Sequence, residues 1–149
     1  MMKTIKLAFT ISLLFIFASC EKTETVPSEA IAGTWKIKSI VADFAGQTNV
    51  DVYAFLGAFF PCVYDVTYSF SDGKVTADDK GCVDDAGDSN AIISASGATY
   101  VLENGILTVT DGGEVITGSI IFSGNTAVWT SNDPTGDSDQ AITTFEKVN

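Results

Sequence analysis

Beyond residue 30 the chain alternates between apolar and polar positions. In Tyr64-Asp65-Val66-Thr67-Tyr68-Ser69-Phe70 the large side chains share one face and the small polar ones the other, which is the period-two signature of a half-buried strand. Thr34 to Val41 reads the same way, with Trp35, Ile37 and Val41 opposite Lys36 and Lys38. Val75 to Ala77, Tyr100 to Glu103, Ile106 to Val109, Val115 to Phe122, Thr126 to Thr130 and Gln140 to Val148 continue the series. Asp72-Gly73, Asn104-Gly105, Asp111-Gly112-Gly113 and Ser123-Gly124-Asn125 separate them. These are hairpin signals, Asn-Gly the strongest of them. Short turns join antiparallel neighbours, so the strands form a meander. Closure of the meander removes its two exposed edges. The pattern therefore predicts an all-β fold, a small antiparallel up-and-down β-barrel of about eight strands, with an interior just wide enough for one small ligand.

One segment breaks the alternation. Between Val50 and Phe60, the residues Phe55, Leu56, Phe59 and Phe60 recur at helical spacing, and Pro61 follows. This predicts one short helix after the first strand, lying over an open end or a flank of the barrel. It plugs the core, closes over a ligand, or offers a patch to a partner.

The N-terminus follows a different pattern. Lys3 and Lys6 precede the apolar stretch Leu7 to Phe17, which is interrupted only by Thr10 and Ser12. A membrane-spanning helix needs about 20 apolar residues, so this run has the length of a signal-peptide core. It ends in Phe17-Ala18-Ser19-Cys20. Those residues resemble the lipobox of bacterial lipoproteins, in which the cysteine is diacylated and becomes the first mature residue; Phe17 stands where that box usually has Leu. An ordinary secretory signal cleaved nearby is the alternative. The expected organisation is a lipoprotein signal peptide at 1–19, a lipidated Cys20 with a flexible tether to residue 30, and a barrel domain at 31–149. About 130 mature residues bury roughly two-thirds of their unfolded surface, enough for one core.

Composition then narrows the chemistry. The chain has no His and no Arg. Imidazole bases, Ser-His and Cys-His dyads and His-bound zinc are excluded, as is bidentate grip on phosphate. Glu103, Glu114 and Glu146 are scattered, and the many Ser and Thr have no activating base. The formal net charge of −11 repels nucleic acid. No enzyme activity, cofactor or nucleic-acid partner is expected.

The remaining cysteines, Cys62 and Cys82, read as one disulfide of an exported chain. Such a bond closes a loop of about 20 residues and contributes about 3 kcal/mol in the chain-entropy account. Asp78, Asp79, Asp84 and Asp85 surround Cys82 and argue against a reactive thiolate there. The acidic stretches Asp78 to Asn90 and Asp133 to Asp139 read as solvated turns. A weak calcium site is the alternative, although the calcium-loop pattern D-x-[DN]-x-[DN]-G with a distal Glu is absent.

Gly33-Thr34-Trp35 at the opening of the first strand looks like the G-x-W signature of lipocalins. With Cys20, Cys62, Asp65 to Phe70, Asp72-Gly73 and Cys82 in order, the chain resembles the lipocalin-like lipoproteins of Gram-negative envelopes. The resemblance implies anchoring to the cell envelope through the N-terminal lipid, at the outer membrane rather than the inner. It also implies a barrel that binds a small apolar molecule. Gly33 and Trp35 carry over as structural residues, with Trp35 at the closed end of the barrel and Lys147 the only cation of the last strand available to cover it.

For a ligand pocket the candidates are the inward or helix-borne aromatics Tyr53, Phe55, Phe59, Tyr68, Tyr100 and Trp129. Aromatic bodies with polar tips suit a mostly dry pocket. Packed core is the competing reading of the same residues. Without Arg or His, a neutral ligand fits better than an anionic one. The alternative function is a lipid-anchored structural or interaction module with a filled barrel.

Overall fold

The computed structural model of the chain describes residues 28–93, 97–132 and 140–149. Its strands are β1 (Gly33–Phe44), β2 (Gln47–Asp51), β3 (Thr67–Ser71), β4 (Lys74–Asp78), β5 (Ala98–Glu103), β6 (Ile106–Asp111), β7 (Glu114–Ser123), β8 (Thr126–Ser131) and β9 (Ala141–Lys147). One α-helix, α1 (Val52–Phe59), lies between β2 and β3. Short 3₁₀ turns occupy Ser28–Ile31 and Pro61–Asp65. Every sheet pairing is antiparallel, and β1 pairs with β9 from Trp35↔Lys147 to Ala42↔Ala141. The result is a closed eight-stranded up-and-down barrel, with β2 folded back on the far end of β1.

The turns explain the meander. Asp72 and Gly73, and Asn104 and Gly105, have positive φ at both central hairpin positions, as do Gly112 and Gly113. That geometry matches the twist of the flanking strands. Ala45 and Gly46 make the same turn between β1 and β2. The sequence reading missed β2, because Gln47-Thr48-Asn49 carries no alternation and these residues are exposed.

Two further differences have local causes. A bulge lies between Ile37 and Ser39, where the register against β9 shifts by one residue. It inverts the alternation, so Ala42 is buried in place of Val41, which was expected on the Trp35 face. Tyr64 and Asp65 belong to the second 3₁₀ turn, because the chain leaves α1 through Pro61 and has not yet reached the sheet. Strand β3 starts at Thr67, and its Tyr68 and Phe70 are buried as the alternation predicts.

Trp35 plugs one end of the barrel. Its indole N–H donates to the Ile31 carbonyl at 2.7 Å, tying in the first 3₁₀ turn, and Ile31 is itself buried. The Lys147 ammonium stands 5.3 Å from the ring centroid, within cation–π reach. Gly33 makes room for that lysine: its φ is +119°, and a Cβ there would lie 3.0 Å from Lys147 Cε. Tyr68, Phe70, Leu102, Leu107, Ile120 and Ala127 fill the barrel above Trp35.

At the opposite end the wall needs help. On the β3 side, β1 pairs only through Gly33–Trp35, and then with β2 from Val41. Helix α1 covers this gap. The Asp51 carboxylate caps it by accepting the Ala54 N–H at 3.0 Å. Its buried residues are Tyr53 and Gly57, while those of the predicted Phe55/Leu56/Phe59/Phe60 stripe are exposed. The Tyr53 hydroxyl donates to the Val63 carbonyl at 2.7 Å, and Gly57 lies where a Cβ would collide with the Tyr64 ring. The phase of the helix is thus set by its contact with the turn that follows it.

The β4–β5 seam is also thin, with only Lys74↔Thr99 and Val75↔Ala98 in register. The connection after β4 folds over it, burying Ile93 and donating the Ile92 N–H to the Tyr68 hydroxyl at 3.0 Å. The disulfide Cys62–Cys82 pins this connection to the second 3₁₀ turn, with Cys82 buried. Replacing both cysteines by Ser is expected to cost about 3 kcal/mol and lower Tm by roughly 10 °C. Thermal unfolding with and without reductant checks this, since reduced wild type should melt with the variant.

Candidate functional site

The inward positions change character along the barrel. Near Trp35 they are large. Towards the other end, β1, β8 and β9 present Ala42, Ser131, Ala141 and Thr143 inward, all buried. Small side chains at positions that elsewhere carry Phe or Leu cannot meet across the barrel, and a cavity of about 310 Å³ remains. Its floor is Ile37, Trp129 and Phe145, and its sides include Ile40 and Ile116. Ile92 and Ile93 line it from the β4–β5 connection, and Val52, Phe55 and Leu56 from α1. That size sits at the lower bound for small-molecule sites.

The lining is almost wholly apolar. Its polar members are Asp43 on β1 and the group Trp129, Ser131 and Thr143. Among the described residues no lysine lines the cavity. Lys36 lies 3.8 Å from Asp65, Lys38 lies 3.0 Å from Glu146, and Lys147 covers Trp35 at the far end. An anionic headgroup would find no counter-charge here.

A wider depression of about 920 Å³ lies at the Trp35 end, between the first 3₁₀ turn, the β3–β4 turn and β5. Exposed Glu29, Asp72 and Glu103 line it beside Thr34, Ser69 and Ser71. It is a groove between strand ends, not an enclosure, and it carries no convergent chemistry.

The structure divides the six aromatic candidates. Trp129 and Phe55 line the cavity, Trp129 in the floor and Phe55 at the mouth. Phe55 is 48% exposed and bridges Phe44 and Phe59, with ring centroids at 5.8 and 5.0 Å. Phe59 is 65% exposed and sits on the outer rim, outside the lining. Tyr53 and Tyr68 are buried and outside the cavity lining, with their hydroxyls bonded to Val63 and Ile92, where they tie down the helix and the seam. Tyr100 packs edge-on against Phe70 at 5.3 Å, at the other end of the barrel. Aromatic content pointed at these three, but in each case tertiary packing uses the ring. Ser131, Ala141 and Thr143 were missed. Their signal was a run of small inward residues in strands β8 and β9, legible only once the inward phase is known.

Compared with known proteins, the chain matches no family model, no curated protein and no solved structure. The site must therefore be read from its own chemistry.

That chemistry shows no cluster of three or more Cys, Asp or Glu placed to hold a metal ion, among the described residues. Carboxylates after β4 serve the backbone instead. Asp84 accepts the N–H groups of Ala86 and Asp88, and Asp79 that of Gly81. The Asp78 carboxyl is held below the usual carboxylate range by its hydrogen bonds from Lys80. The second acidic stretch, from Asp133 to Asp139, lies outside the described residues, as does Cys20.

Burial pushes the Tyr68 phenol up to about 12 and also raises that of Tyr53. Both groups stay neutral in the folded chain at pH values where the unfolded chain ionises, from about pH 10 upward. Stability should accordingly hold up to about pH 10 and fall as pH rises beyond it. Tyrosinate absorbance during alkaline titration checks this, because these two phenols should ionise only together with unfolding.

Proposed function

We propose that this chain is a lipocalin-like lipoprotein of the cell envelope, anchored through Cys20, whose barrel holds a small, neutral, largely apolar molecule and catalyses nothing. The single observation that carries the binding reading is the cavity of about 310 Å³, apolar in its lining and free of lysine, opposite the Trp35 plug. A filled barrel would place large side chains at Ala42, Ser131, Ala141 and Thr143 as it does around Trp35. The lipobox-like Phe17-Ala18-Ser19-Cys20 after an apolar run supports the anchor.

Native mass spectrometry of the chain purified from its producing cells, with Nile red uptake as a second readout, tests the binding reading. A co-purified neutral lipid, or dye fluorescence that rises on mixing, is expected. Ala141→Phe fills the cavity and should weaken dye binding by about tenfold or more. A uniformly unliganded mass with no dye uptake overturns it. The anchor has its own test: Cys20→Ala should move the protein out of the membrane fraction, and continued membrane association would refute lipidation at this cysteine.

A second reading rests on the outward face of α1. Phe55 and Phe59 are exposed beside Leu56, Phe60 and Tyr64, a contiguous apolar surface of the kind that marks interaction sites. On this reading the chain is a lipid-anchored interaction module. An empty barrel in the binding experiments, together with loss of a co-purifying protein on Phe59→Ser, would favour it.

A further inference from the structure

Apart from Asp43 on β1, the cavity's polar groups lie together. Trp129 and Thr143 are direct cross-strand partners on β8 and β9, and Ser131 is the next inward residue along β8. All three are buried and line the cavity on one side, while the rest of its described lining, Asp43 on β1 apart, is aliphatic and aromatic. Trp129 is 4% exposed, and its indole N–H has no hydrogen-bond partner among the described residues. The other indole, Trp35, is bonded to Ile31. A buried donor left unmade is costly, and such groups are rare in folded proteins. Among the described residues the other unpartnered buried side-chain atom is the Asn90 amide nitrogen, on a residue that does not line the cavity.

We propose that the cavity's ligand is amphipathic, with an apolar body and one neutral hydrogen-bond acceptor, a carbonyl, ester, ether or hydroxyl oxygen, that takes the Trp129 indole N–H beside Ser131 and Thr143. The inference rests on the binding reading above and adds the headgroup to it. A donor-only indole selects an acceptor. Two hydroxyls, able to donate or accept, serve oxygens of several kinds. The described lining holds no lysine and includes the Asp43 carboxylate, which disfavours a carboxylate or phosphate head, since neither would be neutralised when desolvated. A few placed polar groups on an apolar wall are how such sites orient their ligands. The N–H is covered by its neighbours, so the acceptor reaches it by displacing wall side chains. The bond then satisfies a donor that the protein itself does not.

The test compares two probes of equal shape, naphthyl methyl ketone and its hydrocarbon counterpart isopropenylnaphthalene, by titration calorimetry against the full chain. The ketone is expected to bind about tenfold more tightly. In Trp129→Phe the ratio of ketone to hydrocarbon affinity should fall to about one, whatever change in binding the two probes share. A measurement on wild type guards against a misfolded variant: in ¹⁵N-labelled protein the Trp129 indole proton should shift downfield with the ketone alone, while that of Trp35 stays in place. Equal binding of both probes to wild type overturns the headgroup inference and leaves the apolar-binding reading standing. A ketone preference with an unmoved Trp129 indole proton also overturns it. If neither probe binds, the binding reading falls and the inference falls with it.

Discussion

Because β1 pairs with β9 along most of its length, from Trp35↔Lys147 to Ala42↔Ala141, the first and last strands of the barrel lose their free edges. That closure assigns an inward or outward direction to every residue around the ring, since a slip of one residue would turn each side chain to the other face. Trp35 depends on it for Lys147, and the cavity depends on it for Ala141 and Thr143. The bulge after Ile37 belongs to the same constraint: it lets β1 stay paired with β9 while changing which of its residues face inward.

Closure produces a barrel of two unlike halves. Around Trp35, large side chains interdigitate and the first 3₁₀ turn seals the end, so apolar burial and dispersion contacts are concentrated there. Around Ala42 and Ala141 the inward residues are small, and the wall forgoes those contacts. The hollow half is held from outside instead, by α1 over the β1 gap and by the disulfide-pinned connection over the β4–β5 seam. Residues that could have filled the barrel, such as Phe55 and Phe59, stay at its mouth. This is an arrangement in which stability and an accessible interior occupy opposite ends of one small fold.

Charge acts in the same direction. With 8 lysines against 19 acids and neither Arg nor His, the protein has few cations; Lys36 and Lys38 pair with Asp65 and Glu146, and Lys147 covers the Trp35 ring. Among the described residues, the open end therefore offers an apolar surface with a few polar groups and no lysine.

Much of this was legible in the sequence. Alternation, Asn-Gly and Asp-Gly turns and the short spacing between strands determined an antiparallel barrel, because side-chain period and turn geometry are local properties. The Cys62–Cys82 bridge and the place of Trp35 under Lys147 were legible as well, one from cysteine count and the other as what the resemblance to lipocalins implies. Strand β2 was not, since an exposed polar strand leaves no alternation to read. Nor was the phase of α1, whose buried face was chosen by Tyr53 bonding Val63 and by Gly57 admitting Tyr64. Likewise the sequence marked six aromatics as equals. Only the closed barrel decided that Trp129 and Phe55 border empty space while Tyr53, Tyr68 and Tyr100 are packed. A residue's own chemistry is written in its type, but which neighbours it meets is decided by strands distant in the chain, and the cavity exists only where those neighbours are small.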